Sequence, residues 1–288
     1  MCLTRVMHTQ SASLAASEVR ELWERRYLTS PRPPSANAIS SAMRRDQLAP
    51  TLDEIIDLFA AQLKSRETKF AVDRTTYAAP NSRYYLVYVD GKERLRRVAR
   101  EVHLDCLIGV ESGIINAAMV NDDTTGESQF LIPNLERANK LFRFDELKAD
   151  AGYGSEENRE YVVNVIGARF YCPYKRSEKE HGDGGEWDRQ WREFKDGGTA
   201  WDRRYHERSM IEARFSSDKR LHRRRVLART FKAQRSEILA HCVVQNARIL
   251  VEQFFLTDLE IAFLDPFSCR HLEELRERLM PAWRPRRA

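Results

Sequence analysis

The chain is expected to fold as an α/β protein, a mixed sheet flanked by helices and led by a short helical segment. Three observations predict this. Runs of apolar and β-branched residues between Phe70 and Val120 read as strands in a meander. From Ser128 to Tyr174 helical and strand patterns alternate, as they do where helices pack on a sheet. On either side, residues 1–69 and the chain from Ala200 onward carry helical spacing.

The first helix is expected over Ser17 to Tyr27, where an N-cap serine precedes Val19, Leu22, Trp23 and Tyr27 on one face. Pro31 to Pro34 break it. Thr51 to Lys64 sets Leu52, Ile55, Ile56, Phe59 and Leu63 on one side of a second helix. The texture then changes. FAVDRTTY from Phe70 and YYLVYVD from Tyr84 read as two strands. Val98–Val110 and Ile114–Val120 read as two more, joined by a turn at Glu111-Ser112-Gly113. Ser128 to Phe142 is expected to be helical, with Pro133 near its start, where proline is tolerated. A short strand over Phe144–Asp150, a helix over Glu156–Ile166 closed by Gly167, and a strand over Ala168–Tyr174 follow. Gly182 to Gly198 is a polar insertion holding Trp187 and Trp191 at i, i+4; a packed helical face is expected, with a base-stacking site as the alternative. Helices are expected from Ala200 to about Leu227 and from Lys232 to Phe255, before a basic tail ending WRPRRA.

At 288 residues the chain has room for one large domain, or one domain and a small appendage. Its 32% charged and 42% hydrophobic residues are those of a globular protein. The net charge of +5 is unevenly spread. Between Arg203 and Arg235 twelve Lys or Arg face three acids, Glu207, Glu212 and Asp218. Such a stretch suits a phosphate backbone, and a solvated basic face is the alternative. The five cysteines (Cys2, Cys106, Cys172, Cys242, Cys269) form no C-x-x-C pair and read as reduced thiols of a cytosolic protein. Residues 1–30 lack the apolar core of a signal peptide, and no window holds eighteen uncharged apolar residues. A cytoplasmic protein with no membrane partner is expected.

Three acids are candidates for chemistry. Asp73 follows the apolar strand start Phe70-Ala71-Val72, and Asp150 ends Leu147-Lys148-Ala149 just before Ala151-Gly152-Tyr153-Gly154. Open α/β sheets bind ligands at the carboxyl ends of their strands, although a strand-end Asp also serves as a helix cap or Asx-turn. Glu212 comes with company. On one helix, Tyr205, Arg208, Glu212 and Lys219 lie at offsets that fall within an arc of roughly 60°. A phenol, a guanidinium, a carboxylate and an ammonium then share one stripe, with Ile211 and Phe215 beside it to anchor the helix on the sheet. Surface pairing of Arg208 with Glu212 explains the stripe poorly, since Glu four residues after Arg is the less favourable order.

The pattern Y-x-x-R-x-x-x-E-x-x-x-x-x-x-K, here Tyr205 to Lys219, resembles the signature of bacterial insertion-sequence transposases of the IS4/IS5 type. FAVDRTT resembles the block with that family's first Asp, and ADAGYGSEEN resembles its A-D-K-x-Y-x-S block with the second. The order D…D…E, at separations of 77 and 62 residues, also agrees. The resemblance covers about residues 68–255. Departures are Ala151 where the family commonly has Lys, Thr125-Gly126-Glu127-Ser128-Gln129 where an H-D-S-x-Q stretch falls, and a short leader before Asp73. His103 resembles a family position near the site, and a structural histidine is the expected reading.

The resemblance implies an RNase H-like catalytic domain over 69–260, with an insertion at about 176–200, a helical segment over 1–68 and a tail over 261–288. It implies a DDE transposase that cleaves transposon ends and transfers the strands, with Asp73, Asp150 and Glu212 as catalytic acids and metal ligands. Two Mg²⁺ ions about 3.5–4 Å apart, replaceable by Mn²⁺, would serve the attacking and leaving oxygens. Asp73 would bridge both, with Asp150 on one and Glu212 on the other. Tyr205, Arg208, Lys219, Arg220, Arg223 and Arg224 would hold phosphates of double-stranded DNA, both terminal inverted repeats and target. A homodimer acting at the nucleoid is implied. Three converging carboxylates without metal should raise at least one pKa. Two alternatives stay open: a degenerate or domesticated relative that binds DNA without cutting, and a nuclease on the same fold.

Overall fold

The computed structural model describes residues 12–25, 32–33, 35–89, 92–122, 126–222 and 224–257. Its helices are α1 (Ala12–Glu24), α2 (Ala36–Ala42), α3 (Leu48–Ala61), α4 (Leu131–Ala138), α5 (Glu156–Glu160), α6 (Glu186–Asp196), α7 (Gly198–His206), α8 (Ser209–His222) and α9 (Phe231–Thr257). The strands are β1 (Lys69–Val89), β2 (Lys92–Gly109), β3 (Ile115–Asn121), β4 (Glu146–Ala149) and β5 (Arg169–Tyr171).

They form one sheet in the order β3-β2-β1-β4-β5. The meander β1-β2-β3 is antiparallel, while β4 runs parallel to β1 and β5 parallel to β4. Alternation along each strand supplies two cores. Phe70, Val72, Leu107, Leu147 and Ala149 pack with α4 and the α5 region on one face. Ala71, Tyr77, Cys106 and Ile108 pack with Ile211 of α8 and Ile238, Leu239 and Val243 of α9 on the other. Leu52 and Ile56 of α3 join the second core, and Ala60 at its end and Leu63 just beyond join the first, so α3 packs directly on the sheet domain.

The two strands expected from Phe70 and Tyr84 are a single strand. Its ladder with β2 shifts register between Ala78 and Ser82, around Pro80, which has no N–H to donate. There the Ala78 N–H turns to the Arg224 carbonyl and Val226 N–H donates back to Ala78. The helix expected over 128–142 is shorter, a 3₁₀ turn at Ser128–Phe130 followed by α4. The helix over 156–166 starts on the Ser155 cap, passes into a π turn at Tyr161–Ile166 and stops at Gly167, with φ of 78°. Trp187 and Trp191 of the insertion both meet Tyr174 edge to face at 4.8 Å, the packed helical face that was expected. Among the described residues no helix is long and apolar enough to cross a membrane.

Candidate active site

The parallel pairing of β1 and β4 sets Val72 opposite Ala149. The next residue along each is an acid, so Asp73, within β1, lies beside Asp150, just past the carboxyl end of β4. Asp150 stands at the N-cap position of the 3₁₀ turn Ala151–Tyr153, but its side chain makes no capping bond. The helix-cap alternative therefore does not account for it. Glu212 arrives from α8, in whose first turn a carboxylate is favourably placed. Ile211, fully buried, and Phe215 anchor that turn on the sheet.

All three acids meet one guanidinium. Arg208 donates from Nη1 to Asp73 Oδ2 at 2.8 Å and from Nη2 to Glu212 Oε1 at 2.7 Å, with Asp150 Oδ2 4.0 Å from Nη2. Exposure grades across the cluster: the side chains of Arg208 and Asp73 are 13% and 18% exposed, those of Asp150 and Glu212 50% and 58%. Burial raises the Asp73 pKa above its ordinary 3.8. Arg208 and the Arg74 N–H on Oδ1 oppose that rise, while Asp150 and Glu212 add to it. The direction is the one expected for converging carboxylates, though burial is the larger cause.

The single-helix stripe does not survive. Tyr205 lies on α7, Glu212 on α8, and Arg208 in the tight corner between them. Arg208, Met210 and Ile211 each donate their N–H three residues back, to Tyr205, Glu207 and Arg208. At this break Glu207 lies 2.8 Å from the buried Lys148. Arg208 and Glu212 do form an ion pair, contrary to the argument from residue order, because Asp73 fixes the guanidinium between the acids. Tyr205 stacks on Trp201 at 5.3 Å, and the Arg208 guanidinium lies 5.7 Å from its ring. Burial raises the Tyr205 pKa, against a lowering by Arg208. Lys219 and Arg220 fall on α8, but their side chains, and all of Arg223, lie outside the described residues. Arg224 is exposed beside β1, its carbonyl engaged by Ala78.

Sequence reasoning missed the residues beneath these acids. Asp105, fully buried on β2, accepts from Arg74 Nε at 3.0 Å, Tyr153 Oη at 2.8 Å and Asn121 Nδ2 at 2.9 Å. It thereby ties the residue after Asp73 to the turn after Asp150. A charge inside the apolar run LDCLIGV was its signal. Glu127 is a further carboxylate here, its Oε2 2.8 Å from where a Cβ on Gly152 would stand. Burial raises its pKa, against Arg74 and reinforced by Asp73, Asp105 and Asp150. His103 has Nδ1 3.0 Å from Thr76 Oγ1 and a pKa lowered by burial and by Arg74. Cys106, Cys172 and Cys242 are buried thiols in no disulfide; Cys2 and Cys269 lie outside the described residues. Cys172 Sγ donates to the Asp150 carbonyl at 3.2 Å, and burial pushes its thiol up to about 12. Away from the three acids, Glu156, His181 and Asp183 bring ligating atoms within 4.8 Å of one another, all exposed.

The mixed sheet and its packed helices thus gather carboxylates from three distant segments around one guanidinium. The family model for the transposase DDE domain matches residues 64–247, and the chain belongs to that family. Its fold is accordingly the RNase H-like mixed sheet flanked by helices. No curated protein matches the chain. Among solved structures it is similar to the Mos1 strand transfer complex at 9% identity, covering 70% of this chain and 76% of that one, with a TM-score of 0.27. The Mos1 mariner paired end complex with Mn is similar at 12% identity, covering 82% and 74%, with a TM-score of 0.25. Likeness at this level bears on neither activity nor ligands.

Proposed function

We propose that the chain is a transposase that cleaves DNA at transposon ends and joins the freed ends to target DNA, with Asp73, Asp150 and Glu212 as its catalytic metal ligands. The observation that carries this reading is the meeting of these three carboxylates on the Arg208 guanidinium. They form a hard, all-oxygen donor set that already surrounds a cation, which fits Mg²⁺ or Mn²⁺. Bound there, two divalent cations would activate the attacking oxygen and stabilise the leaving one.

The chain's own residues do the placing. Asp73, the most enclosed, would hold metal from the inner side of the cluster, its Oδ1 steadied by the Arg74 N–H. Asp150 and Glu212 flank it with exposed carboxylates open to solvent and DNA. Arg208 neutralises the acids in the absence of metal and is placed to take a phosphate once they are engaged. Tyr205, Lys219, Arg220, Arg223 and Arg224 extend the contact along the duplex. On this reading residues 69–260 are the catalytic domain, 1–68 a helical lead-in and 261–288 a tail. Two copies act together on paired ends.

The test is end cleavage. The full chain is incubated with Mg²⁺ or Mn²⁺ and duplexes carrying the flanking inverted repeats, beside Asp150→Ala. Metal-dependent cleavage by wild type that the variant lacks is expected. Binding of the repeats by wild type with no cleavage under either metal would overturn the reading in favour of a DNA-binding relative.

A further inference from the structure

Lys148 is fully buried on β4, two residues before Asp150 and so on the same face of the strand. Its ammonium lies 2.7 Å from Glu146 Oε2 on its own strand and 2.8 Å from Glu207 Oε2 at the end of α7. Arg204 completes the cluster, 3.8 Å from Glu146 and 3.6 Å from Glu207. Glu207 is the neighbour of Arg208. The corner these residues form is held within itself by backbone bonds to the third residue back, a weaker brace than a continuous helix.

A buried ion pair is a poor device for stability alone, since apolar residues of similar size do as well. What it supplies is a charge contact that joins two elements. The geometry points to Lys148 as a positioning residue: it fastens the α7–α8 corner to β4 and so holds Arg208 and Glu212 against Asp73 and Asp150, an inference that rests on the reading of those acids given above. Lys148 touches none of the reacting groups. It acts through Glu207, as residues bonded behind a metal ligand act on the ligand they orient.

The test separates tie from fold. Lys148→Met with Glu146→Gln and Glu207→Gln removes the tie without stranding a buried charge, and Glu207→Gln alone cuts it while leaving Lys148 paired with Glu146. Mn²⁺ binding by the full-length, DNA-free protein is followed from the free-ion paramagnetic resonance signal, with Asp73→Asn as reference. In both variants Mn²⁺ affinity is expected to fall about tenfold with melting temperature held near wild type. Amides of residues 208–212 are expected to exchange several-fold faster, with the sheet unchanged. Wild-type affinity and wild-type exchange in Glu207→Gln would overturn the inference, whether or not the triple variant folds. Wild-type protein that binds no Mn²⁺ removable by Asp73→Asn would instead overturn the transposase reading, and amide exchange would still decide the role of Lys148.

Discussion

Replacing Arg208 by Met should destabilise the metal-free protein and leave it more responsive to Mn²⁺ than wild type. The Arg208–Asp73 bond joins two largely enclosed groups at 2.8 Å, and a hydrogen bond between charged groups of this kind is worth about 1.5–3 kcal/mol. The arm to Glu212 reaches a carboxylate 58% exposed, so solvent screening holds it to about 0–1 kcal/mol. Asp150, at 4.0 Å and half exposed, adds less. The loss is about 2–3 kcal/mol, or a melting temperature lower by roughly 5–10 °C for a domain of this size. In wild type a divalent cation must compete with the guanidinium for the same oxygens; in Arg208→Met it need not. If that competition is worth tenfold in affinity, saturating Mn²⁺ narrows the difference between the two proteins by about 1.4 kcal/mol. The assay is a thermal melt of both proteins in chelator and across a Mn²⁺ titration. A difference in melting temperature that stays constant through the titration would refute the idea that Arg208 and metal share the acids.

Other perturbations follow from the same geometry. The folded-state pKa of Asp73 lies above 3.8, so the folded protein holds that proton more tightly than the unfolded chain does. The resulting stability is complete below 3.8 and is lost as pH rises through the folded value, while Mn²⁺ affinity, which needs the ionised acid, grows over the same window; paired melts and Mn²⁺ titrations across pH should show opposite trends, both flattened in Asp73→Asn. Gly109→Ala would drive a methyl into the buried Glu67 carboxylate, which holds Ser112 N and Oγ at 2.9 and 2.8 Å, and a denaturant titration should show a loss of about 2–3 kcal/mol. Arg159 is fully buried, bonded to Gln190 at 2.8 Å and the Cys172 carbonyl at 3.1 Å, with the Tyr174 ring 3.7 Å away. Arg159→Ala should cost about 3–5 kcal/mol, and Arg159→Lys should not restore it, because an ammonium cannot reproduce the planar fork; a melt that Lys rescues would count against this.

Much of this was legible in the sequence, and what escaped has physical reasons. Strand and helix periods announced the sheet, and Gly167 announced the end of its helix, because each depends on local residue choice. The joining of two apparent strands through Pro80 did not show, since it depends on Arg224 and Val226 reaching the Ala78 backbone from far along the chain. The corner at Glu207 was hidden for the same reason. Helical spacing runs through it, and the buried Lys148 that Glu207 meets there lies 59 residues earlier. Asp105 looked like one more strand residue until Arg74, Tyr153 and Asn121 closed on it.

The three acids show how legibility and anchoring trade places. Asp73 and Asp150 follow the paired residues Val72 and Ala149, so the strand register alone puts them side by side. Many apolar sequences satisfy a register, and the pattern around each acid is accordingly plain. Glu212 has no such support: it sits on a helix beyond a corner, more than half exposed, joined to the strand-end acids only through Arg208 among the bonds given above. Its placement therefore rests on particular side chains at particular spacings, Tyr205 under the guanidinium, Arg208 between the acids and Ile211 in the core. The segment least held by the sheet must carry its own fastening in sequence, and that fastening is what reads as a signature. It follows that substitutions at the corner should disturb Glu212 while the strand-end pair stays in place, so metal binding should weaken before the sheet does.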